Sequence, residues 1–331
     1  MDVPADVLEE LEARGLGDEV FRAWSMQEER LLSGRHGRMT PLPNVVREAA
    51  LQLMSHLIQL YRLPMSLLFQ AATLFDACSL RVELEGPADA VPARCVAIVV
   101  ILGKAGDQLF DPSLVDISGM ASSLTKRLSE ADKRIAPILA GDAAVTPERV
   151  IKEELAVLVA LQWRISVTSV DMWLSALCCR FNVLTKNVLD ASISWIFRQC
   201  MQRAWLSLRQ PATETATPRQ LAIGLFGVGF VDAGLLPYHK LRPSWLCSDD
   251  WTELRAMGPA KAAAPVRDPA PVGHEASIVR LLRATTGVSE EDLQAAAFTI
   301  LGALRAALGT DGNKPPNEEF AYPFEAETLS G

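Results

Sequence analysis

The 331-residue sequence lacks both an excess of positive charge and a long apolar run. Its 32 Lys and Arg are outnumbered by 40 Asp and Glu, which leaves a formal net charge of −8. Proteins that bind DNA or RNA gather Lys and Arg on one face to neutralise phosphates, so nucleic acid is not expected as the main ligand. The longest apolar runs, 96–102 and 221–231, fall short of the roughly 20 residues that a bilayer-spanning helix needs. We therefore expect no membrane partner either.

Ligand spacings for metals and motifs for catalysis are also missing. The six cysteines include no C-x-x-C pair and the four histidines no H-x-x-x-H, so we interpret the cysteines as reduced core residues. A glycine-rich run, 224–229, lies within a helical pattern without a preceding strand or a following Lys-Ser/Thr. Close helix packing explains this run better than phosphate binding does. The sequence predicts no metal, no cofactor and no enzyme activity.

What the sequence does contain is the composition of a globular protein. Charged residues make up 22% of the chain and hydrophobic residues 49%. At this length we expect two domains, each able to bury its own core. The start, Met1-Asp2-Val3-Pro4, shows neither the basic nor the apolar region of a secretory signal, so the expected location is the nucleus and the cytoplasm.

Helical periodicity runs through most of the chain. Apolar residues recur at helical spacing over 45–61, and the next pattern, 66–78, is apolar on most sides. The segment 93–104 is apolar all round, as expected of a central helix that is surrounded by others. Thr146-Pro147-Glu148 is a helix start with a capping threonine and a proline in the first turn. Five further helical patterns follow, at 169–180, 187–208, 218–235, 277–285 and 289–308.

The predicted fold class is all-α, because no segment alternates as a strand does. Two tandem bundles of about five helices are the simplest arrangement. The region 111–142 is less regular, and we interpret its polar part, 125–134, as an insertion. The expected divisions are an N-terminal helical extension and linker over 1–43, a first bundle over 44–166, a second bundle over 167–310 with an Ala/Pro-rich insertion at 257–273, and a flexible tail over 311–331.

Two opposite charges stand inside otherwise apolar helical patterns. Arg47 lies early in the first pattern and Asp76 lies late in the second. A buried charge without a partner is costly, so we expect these side chains to pair and to hold the two helices together. Independent, solvent-facing positions are the alternative.

The helix order and four charged positions together resemble the cyclin box. That box is a five-helix domain whose apolar third helix is surrounded by the other four. Cyclins carry an arginine early in the first helix, an aspartate late in the second, a lysine at the end of the third and a glutamate inside the fifth. Arg47, Asp76, Lys104 and Glu154 stand at these positions. A weaker resemblance to a second cyclin fold covers 168–308.

The resemblance implies a non-catalytic regulatory subunit that binds and activates a cyclin-dependent protein kinase, in cell-cycle control. In cyclins the residues matching Lys104 and Glu154 face outward and hydrogen-bond the backbone around the C-helix of the kinase. The alternative is that Lys104 is a solvated charge favoured by the helix dipole and Glu154 an ordinary surface acid. Candidates for an accompanying apolar contact surface, each of which core packing alone would also explain, are Ile98, Ile101, Leu102, Val150 and Leu158.

The sequence departs from cell-cycle cyclins in two places. Cell-cycle cyclins use an apolar groove on the first helix to dock substrates that carry an Arg-x-Leu motif. This sequence has lost most of the apolar bulk at the matching positions, so substrate docking is not expected there. Lys104 is followed by Ala105-Gly106-Asp107, not by an aromatic residue and two acids. A cyclin-fold scaffold, or a transcription-related cyclin without strong kinase activation, is the alternative function. The positions of the degenerate groove are Val46, Ala49, Ala50, Leu53 and His56.

Overall fold

The computed structural model of the protein is helical throughout the part of the chain that it describes. Every regular element in that part is a helix and no strand occurs, which confirms the all-α prediction. The segment 257–273 and the tail 311–331 lie outside the described residues. The structure describes residues 5–32, 43–79, 90–106, 110, 112–139, 145–210, 216–236 and 275–308.

Thirteen helices occur within these ranges, and those predicted from periodicity begin and end within a few residues of their expected bounds. In chain order they are α1 (Ala5–Ala13), α2 (Asp18–Leu32), α3 (Asn44–Leu60), α4 (Ser66–Ser79), α5 (Val91–Gly106), α6 (Leu114–Ala131), α7 (Ala136–Leu139), α8 (Pro147–Ala160), α9 (Val170–Leu184), α10 (Asp190–Leu208), α11 (Pro218–Asp232), α12 (Glu275–Thr286) and α13 (Glu290–Leu308).

The helix α6 corrects the expectation that the chain is less regular here. It is one continuous helix, and the Ser113 hydroxyl before it accepts a hydrogen bond from the Asp116 amide. Its polar residues Thr125 and Ser129 are nevertheless buried. Their hydroxyls donate to carbonyls of the same helix, Ser129 to that of Thr125 at 2.7 Å. Polar side chains that bond back to their own helix therefore obscure its apolar period in the sequence.

The chain divides into two compact units, residues 26–169 and residues 1–25 with 170–331. In the first of these, α5 lies at the centre and contacts α3, α4, α6, α7 and α8. Every residue of α5 from Val91 to Gly103 is buried. The absence of a polar face on this helix is explained by neighbours on all its sides.

In the other unit, α11 is the most enclosed helix and packs against α9, α10 and α13. A side chain at Gly224 would collide with the Ala296 carbonyl of α13, and one at Gly229 would come within 2.7 Å of Ile196 in α10. The glycine-rich run therefore allows close helix packing, as the sequence indicated. At the start of α11, Thr217 and Gln220 form a reciprocal capping box.

The N-terminal residues up to Ser25 belong to this same unit through an aromatic and arginine cluster. The ring centroids of Phe21 and Trp24 lie 5.4 and 5.3 Å from that of Trp173 in α9. The Arg180 guanidinium stacks on Phe21 at 4.8 Å, and Arg219 of α11 stacks on Trp173 at 5.6 Å. Aromatic burial and cation–π contacts thus hold the first part of α2 on α9.

Replacing Gly224 with alanine should destabilise the protein by about 1–3 kcal/mol, because the new methyl group meets backbone rather than a movable side chain. Urea unfolding followed by circular dichroism measures this change. Gly302 in α13 is a matched control, since nothing lies within 4 Å of an added methyl group there. Gly302→Ala should stabilise the helix by roughly 0.5–1 kcal/mol, and equal destabilisation by both variants would contradict the packing interpretation.

Candidate functional site

Arg47 and Asp76, which the sequence predicts to pair, are brought together between α3 and α4. The Arg47 Nε and Nη2 atoms each lie 2.8 Å from an Asp76 carboxylate oxygen. The Arg47 side chain is 5% exposed and that of Asp76 is 24% exposed. A two-point arginine–carboxylate contact of this kind fixes both distance and orientation, so the pair is an internal structural contact.

Lys104 and Glu154 are also brought together, but at the surface. Their Nζ and Oε1 atoms are 3.5 Å apart, and the side chains are 43% and 21% exposed. Lys104 stands near the end of α5 and Glu154 in the middle of α8. Their charges are reachable from solvent, so they can donate to and accept from a partner's backbone groups.

A second ion pair between α5 and α8 is not predicted by the sequence. Arg94 Nε lies 2.9 Å from Glu153 Oε2, and both side chains are largely buried. The two residues are 59 positions apart along the chain. Nothing in the local pattern indicates such a contact, because it depends on how α8 is rotated against α5.

Four of the predicted apolar contact residues are core residues. Ile98, Ile101, Leu102 and Val150 are each at most 4% exposed, since they fill the space between α5 and its neighbours. A partner could touch them only if α5 and α8 came apart. Leu158 is half-buried at the margin of this core.

The exposed apolar side chains of this region lie instead along the outer side of α8. Ile151, Leu155, Val159 and Trp163 are between 52% and 65% exposed. Ile151, Leu155 and Val159 are four residues apart and follow one ridge of the helix surface, and Trp163 comes just after the helix end. We call these four residues the α8 stripe. The i, i+4 spacing is visible in the sequence, but periodicity alone did not distinguish this ridge from the buried face.

The last residue of the stripe stands just beyond α8 on unusual backbone. Gln162 and Trp163 have φ values of 53° and 60°, a region that side-chain-bearing residues seldom adopt. The Trp163 amide donates to the Leu158 carbonyl at 2.8 Å and thereby closes the helix end. Two such residues in succession store strain, and the Trp163 side chain that follows the helix is 65% exposed to solvent.

The first-helix groove of cell-cycle cyclins has no open counterpart at the matching residues. Val46, Ala49, Ala50 and Leu53 are buried within the unit. His56 is half-buried, and its Nδ1 lies 2.8 Å from the Gln52 carbonyl. Core packing therefore accounts for the four apolar positions, and none of them is available to a docked peptide.

Three buried cysteines are held in environments that suppress thiolate chemistry. Burial raises the pKa of Cys95 and of Cys200 to about 12, and it raises that of Cys178 well above the usual value. Cys179 is exposed. In the described part of the chain no three His, Cys, Asp or Glu side chains are grouped as metal ligands would be. The described helices also include none that is long and apolar enough to cross a bilayer.

No protein-family model matches the chain, and no curated protein matches it. Within the described residues, the α8 stripe with the Lys104–Glu154 pair at its side combines exposed apolar side chains with two accessible charges. Apolar side chains in a row and two accessible opposite charges can bind a protein surface, because burial of the row supplies affinity and the charges supply orientation.

Asp76→Ala should lower the free energy of unfolding by about 2–3 kcal/mol, because the buried Arg47 guanidinium loses its two-point carboxylate contact. Urea denaturation of the purified protein measures the change. Glu130→Ala on the exposed side of α6 is the control, and it should stay within about 0.5 kcal/mol of the wild type. If both variants had the same free energy of unfolding, the Arg47–Asp76 contact would not stabilise the fold.

Alkylation by iodoacetamide at pH 8 should modify Cys179 in the folded protein and spare Cys95, Cys178 and Cys200. The latter three are buried, and their raised pKa values keep them as neutral thiols at this pH. Peptide mass spectrometry identifies the modified positions, and the same reaction in urea shows that all of them can react once exposed. Rapid modification of Cys95 without denaturant would disprove the packing of α5.

Proposed function

We propose that the protein is a non-catalytic regulatory subunit that binds and activates a cyclin-dependent serine/threonine protein kinase. The observation that carries this proposal is the α8 stripe beside the Lys104–Glu154 pair. A cell-cycle role, and residence in the nucleus and the cytoplasm, belong to the same proposal.

The fold of residues 26–169 supports the proposal. An apolar helix, α5, lies inside a ring of other helices, and an arginine–aspartate pair joins the first two helices of the bundle. Both features are expected of a cyclin box. In the second unit α11 occupies a comparable enclosed position among α9, α10 and α13. Two tandem cyclin folds are therefore our interpretation of the two units.

The α8 stripe has the composition of a binding surface. Tryptophan is enriched among the residues whose truncation at an interface costs about 2 kcal/mol or more, and the side chains around such an anchor exclude water from it. A partner helix laid along the ridge could cover Ile151, Leu155 and Val159 at once. The apolar row would therefore provide most of the affinity.

The Lys104–Glu154 pair would provide orientation. An exposed ion pair of this kind contributes little to the stability of the free protein, about 0–1 kcal/mol, so exchanging it for contacts with a partner costs little. The Glu154 carboxylate can accept from the amides at the N-terminal end of a partner helix, which lack intrahelical partners, and the Lys104 ammonium can donate to carbonyls of the chain that leads into that helix. A kinase C-helix offers both kinds of group.

Activation would then be a change in the kinase's conformation. A protein kinase is active when the glutamate of its C-helix pairs with the lysine that holds the ATP phosphates. A subunit that binds the inward position of this helix more tightly than the outward one shifts the equilibrium by that difference in affinity. The regulatory subunit itself needs no catalytic group.

A scaffold function is the second candidate, and the residues after Lys104 favour it. Ala105 and Gly106 are exposed and small, whereas cyclins commonly have an aromatic residue directly after the lysine. Such a protein would bind a helix on α8 without activating a kinase. Kinase activity in the complex separates the two candidates.

The proposal is tested by pull-down of purified protein against a panel of cyclin-dependent kinases, with activity measured in each complex. We expect Leu155→Ala to weaken kinase binding roughly 30-fold, as an anchor worth about 2 kcal/mol would. The double variant Lys104→Ala, Glu154→Ala should also lose binding and activation, since its partner contacts are removed.

Val115→Ala is the matched control for these variants. Val115 is 69% exposed on α6 and lies outside the α8 stripe, so its truncation should leave binding unchanged. Binding by the wild type without any rise in kinase activity would favour the scaffold. Failure of the wild type to bind any kinase would refute the proposal.

A further inference from the structure

The two ion pairs between α5 and α8 involve cations at opposite ends of α5. Arg94 stands near its start and Lys104 near its end, ten residues apart, which is about 15 Å of helix rise. Their partners, Glu153 and Glu154, are consecutive residues of α8. The middle of α8 is therefore held from both ends of the helix on which it packs.

Glu153 and Glu154 also occupy different positions relative to the buried face of α8. That face consists of Val150, Val157 and Ala160. Successive helical residues are about 100° apart, which places Glu153 between Val157 and Ala160 within this face and Glu154 beside Val150 at its edge. A large rotation of α8 in either direction would carry the Glu153 carboxylate out of this face and away from Arg94.

Such a restraint is needed because α8 is apolar on two sides. Besides its buried face, it carries Ile151, Leu155 and Val159 in the exposed stripe. A rotation by about half a turn would turn these side chains towards α5 and turn Val150 and Val157 outward. Apolar burial is not directional and distinguishes poorly between these two packings. The hydrogen-bonded contact between Arg94 and Glu153 is directional and distinguishes them well.

We infer that the Arg94–Glu153 pair is a positioning device that selects the rotation of α8, and so decides which apolar face is left in solvent. Buried polar contacts have this role in coiled coils, where they specify register at some cost in stability. The pair touches no partner itself. Its effect on kinase binding rests on the proposed function, whereas its effect on the rotation of α8 does not.

Spin labels test the rotation without any partner. Cysteines are introduced at two exposed positions of the same unit by Lys152→Cys in α8 and Val115→Cys in α6, after Cys179 and Cys247 have been changed to serine. Pulsed dipolar spectroscopy then gives the distribution of distances between the labels. We expect one narrow distribution in this reference protein. We expect a broadened or two-peaked distribution when Arg94→Leu and Glu153→Leu are added.

The leucine pair is chosen because apolar residues of similar volume commonly replace a buried ion pair without loss of stability. Urea unfolding verifies that the variant is folded. A folded leucine variant with an unchanged narrow distribution would overturn the inference, since the pair would then only stabilise. Should that variant not fold, Glu153→Gln carries the same test, because it keeps the size of the side chain and removes its charge.

Kinase binding is measured separately with the unlabelled Arg94→Leu, Glu153→Leu variant. We expect its affinity to fall about tenfold below that of the wild type, because the α8 stripe is presented for only part of the time. If no kinase binds the wild type, the proposed function fails while the label distances still decide the inference. Unchanged affinity together with unchanged distances would refute the positioning role on both measurements.

Discussion

The enclosure of α5 is the constraint on which the rest of its unit depends. A helix without a polar face must be covered on every side, since each exposed apolar side chain would forgo roughly 1.5–3 kcal/mol of burial. The helices α3, α4, α6, α7 and α8 provide this cover. Charges on α5 are confined to positions near its ends, Arg94 and Lys104, and both of them meet carboxylates of α8. The helix α8, which completes the core, is thereby placed with one side towards solvent.

Much of this fold was predictable because its helices are marked by strong local signals. A continuous apolar pattern identified α5, and the Thr146-Pro147 start identified α8. The Arg47–Asp76 contact could be anticipated because either charge alone would be costly inside its helix. The helix α6 was missed because the hydroxyls of its buried polar residues are bonded to its own backbone, a contact that removes the usual penalty for burying them.

The candidate site was predictable only in its charges. Lys104 and Glu154 could be placed by their helices, but the apolar residues beside them could not, because both Val150 and Ile151 suit either a core or a surface. Which of them is buried depends on the rotation of α8 about its own axis. That rotation is a tertiary property, and one of the contacts that restrain it joins residues 59 positions apart. Periodicity reports that a helix has an apolar face, and on a helix with two such faces it does not report which one packs.

The exposed face of α8 carries a cost that the free protein does not recover. Four large apolar side chains in water, with two residues of strained backbone beneath the last of them, oppose both stability and solubility. The buried face of the same helix is sufficient for packing on α5, so the core does not require the stripe. Internal stability alone would accept polar residues at these four positions and a less strained turn after α8. The apolar choice is explained if the stripe is covered by another protein for much of the molecule's working life, since binding then recovers the burial that folding left unused.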